Sequence, residues 1–433
     1  MTSFECRPGG AVSGSIRVPG DKSISHRSII LSSIAEGTSQ ISGFLQGEDS
    51  LNTLSAFRAM GVSIERNADR VSVKGVGLHG LSKPENPLDM GNSGTAMRLL
   101  LGLLAGQAFD TTLTGDESLS RRPMNRVIEP LRAMNARIES QPGGMAPLEI
   151  HAQSQLRAID YRMPIASAQV KSCLLLASLY VEGKSTISEP APTRDHTERM
   201  LRGFGCEVDT NGSNISIKGR QGLKACDIEV PADISSAAFF LVAASIATES
   251  EITLQHVGIN PTRTGVIEIL KLMGANITLL NKRDIGGEPV ADIRVRSAAL
   301  KGIQIPESLV PLAIDEFPVL FIAAACAKGE TVLTGAEELR VKESDRIQVM
   351  ADGLITLGVE VEPTADGIRI RGGPIGGGEV ESHGDHRIAM AFSVASLRAN
   401  EAINIMNCAN VNTSFPGFVD LARQVGIRIS DHG

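Results

Sequence analysis

FRAMGVSIE (residues 57–65) reads as the last turn of an amphipathic helix, a reversal on Gly61 and the start of a strand that alternates apolar and polar positions. Five further stretches close in the same way: LRAMNARIE (131–139), LRGFGCEVD (201–209), LKLMGANIT (270–278), LITLGVEVE (354–362) and LARQVGIRI (421–429). Their turn residues are Gly61, Asn135, Gly205, Gly274, Gly358 and Gly426. Gly and Asn are the residues that tolerate the left-handed conformation ending a helix, and the period-2 pattern after each marks a half-buried strand. Recurrence at intervals of roughly seventy residues points to an internal repeat.

Upstream of each copy lies a second helix that starts polar and becomes almost wholly apolar. These segments are DKSISHRSIILSSIAEG (21–37), NSGTAMRLLLGLLAG (92–106), SAQVKSCLLLASLYVEG (167–183), DISSAAFFLVAASIATES (233–250), DEFPVLFIAAACAKG (315–329) and DHRIAMAFSVASLRA (385–399). A helix apolar on all sides must be buried on all sides. A short strand follows each, at 38–42, 111–115, 185–189, 251–255, 330–334 and 402–406. The repeat is therefore strand, buried helix, strand, amphipathic helix, strand. Six such units predict an α/β protein with helices inside and sheets outside, three units in each of two domains. The crossings fall near 18–21 and 230–233. One domain is expected at 20–232 and the other at 1–19 with 233–433. If the buried helices of a domain run parallel, their N-termini gather at one end and favour anions, and two such ends would face each other across a cleft.

Composition narrows the function. The chain has 433 residues, 42% of them hydrophobic but only 3% aromatic, and no Trp, so Leu, Ile, Val, Ala and Met must fill the interior. A formal charge of -7 disfavours a general binder of nucleic acid or acidic membranes, so any anion site is local. The six cysteines are widely separated and read as reduced core thiols of a cytoplasmic protein. No signal peptide is visible at the start, and apolar runs such as 99–105 and 317–327 are too short to span a bilayer. HExxH, GxSxG, Walker and Cys/His ligand patterns are missing, which leaves metal, serine-hydrolase and nucleotide readings without support.

Chemically loaded residues sit at the starts of the buried helices. Asp21-Lys22-Ser23 with Arg27 opens the first, where either a phosphate or carboxylate guest or an ordinary exposed cap would fit. Gly91-Asn92-Ser93-Gly94-Thr95 opens the second, as a backbone anion cradle or a tight turn. Ser167-Ala168-Gln169 opens the third, Asp315-Glu316 the fifth and Asp385-His386-Arg387 the sixth. Arg122, Arg194 and the run Arg340 to Arg346, with Lys342 and Glu343, fall at corresponding places downstream. Such a charge run is commonly a solvated helix face. Several Arg forks beside a few carboxylates instead suit substrates with more than one anionic group, together with proton transfer.

In order along the chain, PGDKSISHRS (19–28), GNSGTAMR (91–98), RRPM (121–124), SAQVKS (167–172), TRDHTE (193–198), NPTRTG (260–265), IDEFP (314–318), LRVKESDR (339–346), DHRIAM (385–390) and TSFP (413–416) resemble the 5-enolpyruvylshikimate-3-phosphate synthases over essentially the whole chain. The resemblance implies a two-domain inside-out α/β barrel and a cofactor-free, metal-free reaction. In it the carboxyvinyl group of phosphoenolpyruvate passes to the 5-hydroxyl of shikimate 3-phosphate. By the same resemblance, Lys22, Ser23, Arg27, Ser167, Ala168, Gln169, Arg194, Asp315 and Lys342 hold shikimate 3-phosphate, and Lys22, Asn92, Gly94, Thr95, Arg122, Gln169, Arg346 and Arg387 hold phosphoenolpyruvate. Asp315 and Glu343 carry protons, with Lys22 and Lys342 beside the reacting groups. A monomer is expected, with no nucleic-acid or membrane partner. Glyphosate, an inhibitor slightly longer than the donor, is implied to compete for the donor site near Gly94.

Two positions depart from the family pattern. Ala168 stands where many members have Ser, and Thr413 stands where others have Lys. Two alternatives are a UDP-N-acetylglucosamine enolpyruvyl transferase and a non-catalytic phosphosugar-binding protein. The first usually has Lys-Asn where this chain has Lys22-Ser23, and the second would have no use for carboxylates facing an anion.

Overall fold

The computed structural model describes residues 2–152 and 155–433. The six turn residues all take positive φ, from 74° at Asn135 to 111° at Gly426. In each copy the next amide reaches back to the carbonyl five residues earlier at 2.9–3.0 Å: Val62 to Phe57, Ala136 to Leu131, Cys206 to Leu201, Ala275 to Leu270, Val359 to Leu354 and Ile427 to Ala422. This bond satisfies a carbonyl that the helix end would otherwise leave without a partner. Four copies add a side-chain latch, with Arg58, Arg132, Arg202 and Arg423 donating to the carbonyls of Ile64, Ile138, Val208 and Ile429 in the strand that follows.

The inner helices are Lys22–Ser33, Gly94–Leu104, Ala168–Ser178, Ile234–Ile246, Phe317–Ala325 and His386–Ala395, called the first to sixth below. Every residue of the fourth and fifth is buried, as a helix without a polar face requires. The outer helices are Glu48–Ala59, Asn125–Ala133, His196–Gly203, Gly265–Leu272, Arg346–Thr356 and Phe418–Val425. Close packing inside is visible at Gly102, where a Cβ would lie 2.0 Å from the carbonyl oxygen of Cys173 on the neighbouring inner helix. Among the described residues no helix is long and apolar enough to cross a membrane.

In the first five repeats a strand follows that the sequence did not suggest. There the strand after the turn folds back in a hairpin, as Ser63–Asn67 does on Arg70–Val76 and Val208–Asn211 on Asn214–Lys218; after the sixth turn Ile429–His432 pairs instead with Ser3–Cys6. The strands flanking an inner helix pair in parallel: Leu88–Asp89 with Thr111–Thr114, Asp160–Arg162 with Lys184–Ser188, and Gly378–Glu381 with Ile403–Met406. Among the described residues this gives five four-stranded sheets and one three-stranded sheet outside the helices. The inside-out α/β architecture is thus the one expected.

Contacts gather the chain into two compact units, Met1–Pro19 with Pro231–Asp284 and Pro289–Gly433 in one, and Gly20–Val230 with Ile285–Glu288 in the other. Two strands exchange at the crossings. Ser13–Ile16 precedes the first inner helix but pairs with Glu251–Gly258, which follows the fourth. Ile228–Glu229 precedes the fourth and pairs with Glu36–Ser42, which follows the first. At the edge of the chain, Ser3–Cys6 lies between Ile403–Met406 and Ile429–His432 and is antiparallel to both.

Candidate active site

In the unit built on Gly20–Val230, the starts of the three inner helices adjoin, as parallel helices require. His26 Nδ1 meets Thr53 Oγ1 at 2.7 Å, and its Nε2 is 3.4 Å from Ser93 Oγ at the second helix start. Gln169 Nε2 at the third start donates to Thr95 Oγ1 at 3.0 Å, while its Oε1 accepts from Arg98 at 2.7 Å. The three starts are capped by Asp21, Ser93 and Ser167, whose side chains accept from the amides of Ile24, Ala96 and Val170. Ser167 therefore serves as a cap, as its sequence position allowed. Lys22 forms an ion pair with Asp49 of the neighbouring outer helix.

Around the second start, Arg122 Nη2 donates to Asn92 Oδ1 at 2.7 Å, and Asn92 Nδ2 donates to Asp116 Oδ2 at 2.6 Å. The pair fixes Arg122 over the Gly94 end of the helix. An added Cβ on Gly94 would come 3.6 Å from the Arg122 guanidinium. Arg27 is buried; it donates to Thr197 Oγ1 at 2.6 Å, to Ser172 Oγ at 2.7 Å and to the Ser23 carbonyl at 2.9 Å. Burial pushes its pKa down to about 10, against the opposing pull of Glu198 and Asp21. Burial likewise lowers His26 to about 3, opposed by Asp49, so its imidazole is neutral at neutral pH. Arg194 is half-buried on the segment between the strand Lys184–Ser188 and the outer helix His196–Gly203.

In the other unit the centre is Arg346, a residue of the charge run that composition would assign to a solvated face. It is 1 % exposed. Its Nε donates to Asp385 Oδ2 at 2.8 Å and its Nη2 to Glu343 Oε2 at 2.6 Å, while Nη1 lies 3.5 Å from Asp315 Oδ1. Burial alone would lower its pKa, but Asp385, Glu343 and Asp315 together raise it above the ordinary value and hold it cationic. Lys342 Nζ stands 3.6 Å from Asp315 and 2.8 Å from Glu338. Arg387 donates to the Asp315 carbonyl at 2.8 Å, so the fifth and sixth helix starts adjoin. Ser235 at the fourth start donates to Glu316 at the fifth.

The expected residues thus form two clusters. Lys22, Ser23, Arg27, Asn92, Gly94, Thr95, Arg122, Ser167, Ala168, Gln169 and Arg194 belong to one unit, and Asp315, Lys342, Glu343, Arg346 and Arg387 to the other. Asp49, which anchors Lys22, was not singled out by the sequence, and Asp385, which anchors Arg346, was named only as the opening of the sixth helix, without a role. The cue for Asp385 was its place as a cap beside Arg387. Thr413 sends its hydroxyl to the Asn410 carbonyl at 2.7 Å, and Asn410 in turn donates to the Gly384 carbonyl beside the sixth start. Among the described residues, the ligand-type atoms of Glu139, Glu149 and His151 lie within 4.8 Å of one another. That group is on a sheet hairpin, outside both helix-start clusters.

Comparison with known proteins accords with this geometry. The sequence model of one family, EPSP synthase (3-phosphoshikimate 1-carboxyvinyltransferase), matches residues 6–421. The chain is 67% identical to the 3-phosphoshikimate 1-carboxyvinyltransferase of Alkalilimnicola ehrlichii, covering 99% of this chain and 96% of that protein. With the enzyme of the same name from Methylococcus capsulatus the identity is 66%, over 98% of each. The structure matches that of EPSP synthase from Acinetobacter baumannii with a TM-score of 0.92 and 56% identity over the full length of both. The enolpyruvyl transferase NikO from Streptomyces tendae shares the fold, with a TM-score of 0.80 at 17% identity. By family match and by full-length identity, the chain belongs to the EPSP synthase (3-phosphoshikimate 1-carboxyvinyltransferase) family.

Proposed function

We propose that the chain transfers the carboxyvinyl group of phosphoenolpyruvate to the 5-hydroxyl of shikimate 3-phosphate, releasing phosphate, as a single cytoplasmic chain without cofactor. The observation that carries the reading is that, besides its anchor Asp385, Arg346 gathers two further carboxylates, Glu343 at 2.6 Å and Asp315 at 3.5 Å. A site that only held anions would gain nothing from two carboxylates gathered on one cation. A site that moves two protons would.

In the proposed reaction Asp315 takes the proton of the 5-hydroxyl as its oxygen bonds to C2 of the donor, and Glu343 gives a proton to the donor methylene carbon. In the second half Glu343 takes a proton back from the new methyl group, the bond between C2 and the phosphate oxygen breaks, and the departing phosphate carries off the electron pair together with the proton held on Asp315, so both carboxyl groups return to their starting states. Lys22, Asn92, Gly94, Thr95, Arg122, Gln169, Arg346 and Arg387 would hold the donor's carboxylate and phosphate. Lys22, Ser23, Arg27, Ser167, Ala168, Gln169, Arg194 and Lys342 would hold the acceptor. Cations fixed before the reaction stabilise a multiply charged adduct without reorganising, which is where such a site gains rate.

The test is phosphate release from phosphoenolpyruvate in EDTA, with shikimate 3-phosphate or UDP-N-acetylglucosamine as acceptor. Turnover with shikimate 3-phosphate alone is expected. Turnover with the sugar nucleotide alone, or with neither acceptor, refutes the reading.

A further inference from the structure

Lys171 lies in the third inner helix, in a sequence otherwise suited to a dry core, and it is 1 % exposed. Its Nζ is 2.7 Å from Glu198 Oε1 and 3.0 Å from Glu189 Oε2, and it donates to the Thr193 carbonyl at 3.4 Å. Glu189 Oε2 also accepts from Thr193 Oγ1 at 2.7 Å. At the other end of the segment Thr197 donates to Ser172 at 2.7 Å and accepts from Arg27 at 2.6 Å. Lys171 thus meets two carboxylates, Glu189 and Glu198, while buried Arg27 reaches the segment through Thr197.

Burying such charges is unfavourable unless each is closely paired, and an apolar residue would pack an inner helix as well. Packing therefore does not explain Lys171. What the ammonium does is draw together residues nine apart in sequence, at the beginning and end of one segment, and Arg194 stands between them. Thr193 and Thr197 are held as well, so the segment is fixed on both sides of that arginine by side chains from inner helices. A long, flexible Arg side chain loses less freedom on binding when the backbone that carries it is already fixed.

We infer that Lys171 is a positioning residue: by joining Glu189 and Glu198 to one ammonium it aims Arg194, and so sets affinity for the acceptor substrate separately from the donor. The inference rests on the proposed reading of Arg194 as an acceptor contact. It makes Glu189 and Glu198 part of the same device, and it assigns the buried face of Arg27 to the support of this segment.

The experiment uses Lys171→Met, the milder Glu189→Gln, Arg194→Ala and the double variant Lys171→Met/Arg194→Ala. Hydrogen–deuterium exchange of residues 189–199 in the free protein reads the segment, and steady-state kinetics with each substrate varied reads its consequence. Faster exchange confined to this segment is expected in Lys171→Met and Glu189→Gln. The KM for shikimate 3-phosphate should rise about tenfold, as loss of charge-assisted bonding implies. The KM for phosphoenolpyruvate at saturating acceptor and kcat should stay within about threefold of the parent. The double variant should be no worse than Arg194→Ala alone, because coupled residues are non-additive. Unchanged exchange, or full additivity, overturns the inference. If Arg194→Ala itself leaves the acceptor KM unchanged while exchange rises, the reading of Arg194 falls and the anchoring stands. If Lys171→Met does not fold, Glu189→Gln decides by the same readouts.

Discussion

Gly94→Ala tests the start of the second inner helix, proposed to hold the donor, and the structure sets the size of the effect. The new Cβ would lie 2.9 Å from Arg98 Nη1, 3.6 Å from Arg122 Nη1 and 3.7 Å from Leu119 Cδ1. Only the first is too close, and it is the far end of a flexible side chain, so a retreat of about half an ångström relieves it. Arg98 is bonded to Gln169 at 2.7 Å, which ties the retreat to a residue proposed to touch both substrates. The fold should tolerate this, whereas a ligand reaching past the donor's length should meet the methyl. A misfit of one methyl in a packed pocket costs about 1–3 kcal/mol, and the shorter substrate should lose less. The ratio of the glyphosate Ki to the phosphoenolpyruvate KM should therefore rise about tenfold or more. The assay is inhibition competitive with phosphoenolpyruvate at saturating shikimate 3-phosphate, in parent and variant. An unchanged ratio, or a parent that already resists, refutes the reasoning. Gly102→Ala, eight residues along the same helix, is the control: its Cβ would be 2.0 Å from a backbone carbonyl that cannot rotate away. That variant should lose about 3 kcal/mol or more of stability, measured by thermal or urea unfolding.

Burial lowers the His26 pKa to about 3 in the folded chain, below its ordinary value, with Asp49 pulling the other way and Lys22 and Arg27 adding to the depression. The unfolded chain therefore binds more protons between about pH 6.5 and 3, and the stability present above this window is lost as pH falls through it. At pH 5 the loss from this group is about 2 kcal/mol relative to pH 7.5. Amide exchange in the first inner helix should show it in the parent, and His26→Gln should lack it; equal pH dependence in both would contradict the assignment. Asp315→Asn and Glu343→Gln should each lower kcat by about 10²- to 10⁴-fold with substrate dissociation constants little changed. Calorimetric binding and single-turnover phosphate release separate the two quantities, and near-normal turnover in either variant removes that residue from the proton path.

The repeat was legible because its signal is local. A helix that ends on a left-handed Gly or Asn and runs into an alternating strand occupies nine consecutive residues, and all six copies fold that way. The return strands were missed because their hairpin turns differ, from Ala68 to Gly212 to Gly286-Gly287, so no common spacing marks them. The exchange of Ser13–Ile16 and Ile228–Glu229 has no local signal, since each partner lies more than a repeat away in sequence. Candidate site residues at helix starts could be read from their position. The burial of Arg346 could not, because it depends on Asp385 in the next repeat. Lys171 did leave a trace: it is a charge next to the apolar run 173–177, where amphipathic patterning has no place for one.

The placement of the first strands has a consequence for how the chain is made. Ser3–Cys6 is synthesised before every other described strand, yet both its partners, Ile403–Met406 and Ile429–His432, are the last two of them. At roughly 5–20 residues per second, the strand waits about 20–80 s for them during translation. Gly20–Val230, by contrast, emerges as one nearly self-contained stretch and can fold while its successor is still being made. The ends of the chain also meet, since Ser3 is paired with His432. A circular permutant that begins at Pro231 and joins Gly433 to Thr2 through a short linker would deliver the two parts of the late unit consecutively, apart from Ile285–Glu288, and remove the crossing at Val230–Pro231. In a cell-free translation followed by limited proteolysis, that permutant should become resistant over 231–433 before synthesis is complete. In the natural order, resistance there must wait for the last strand.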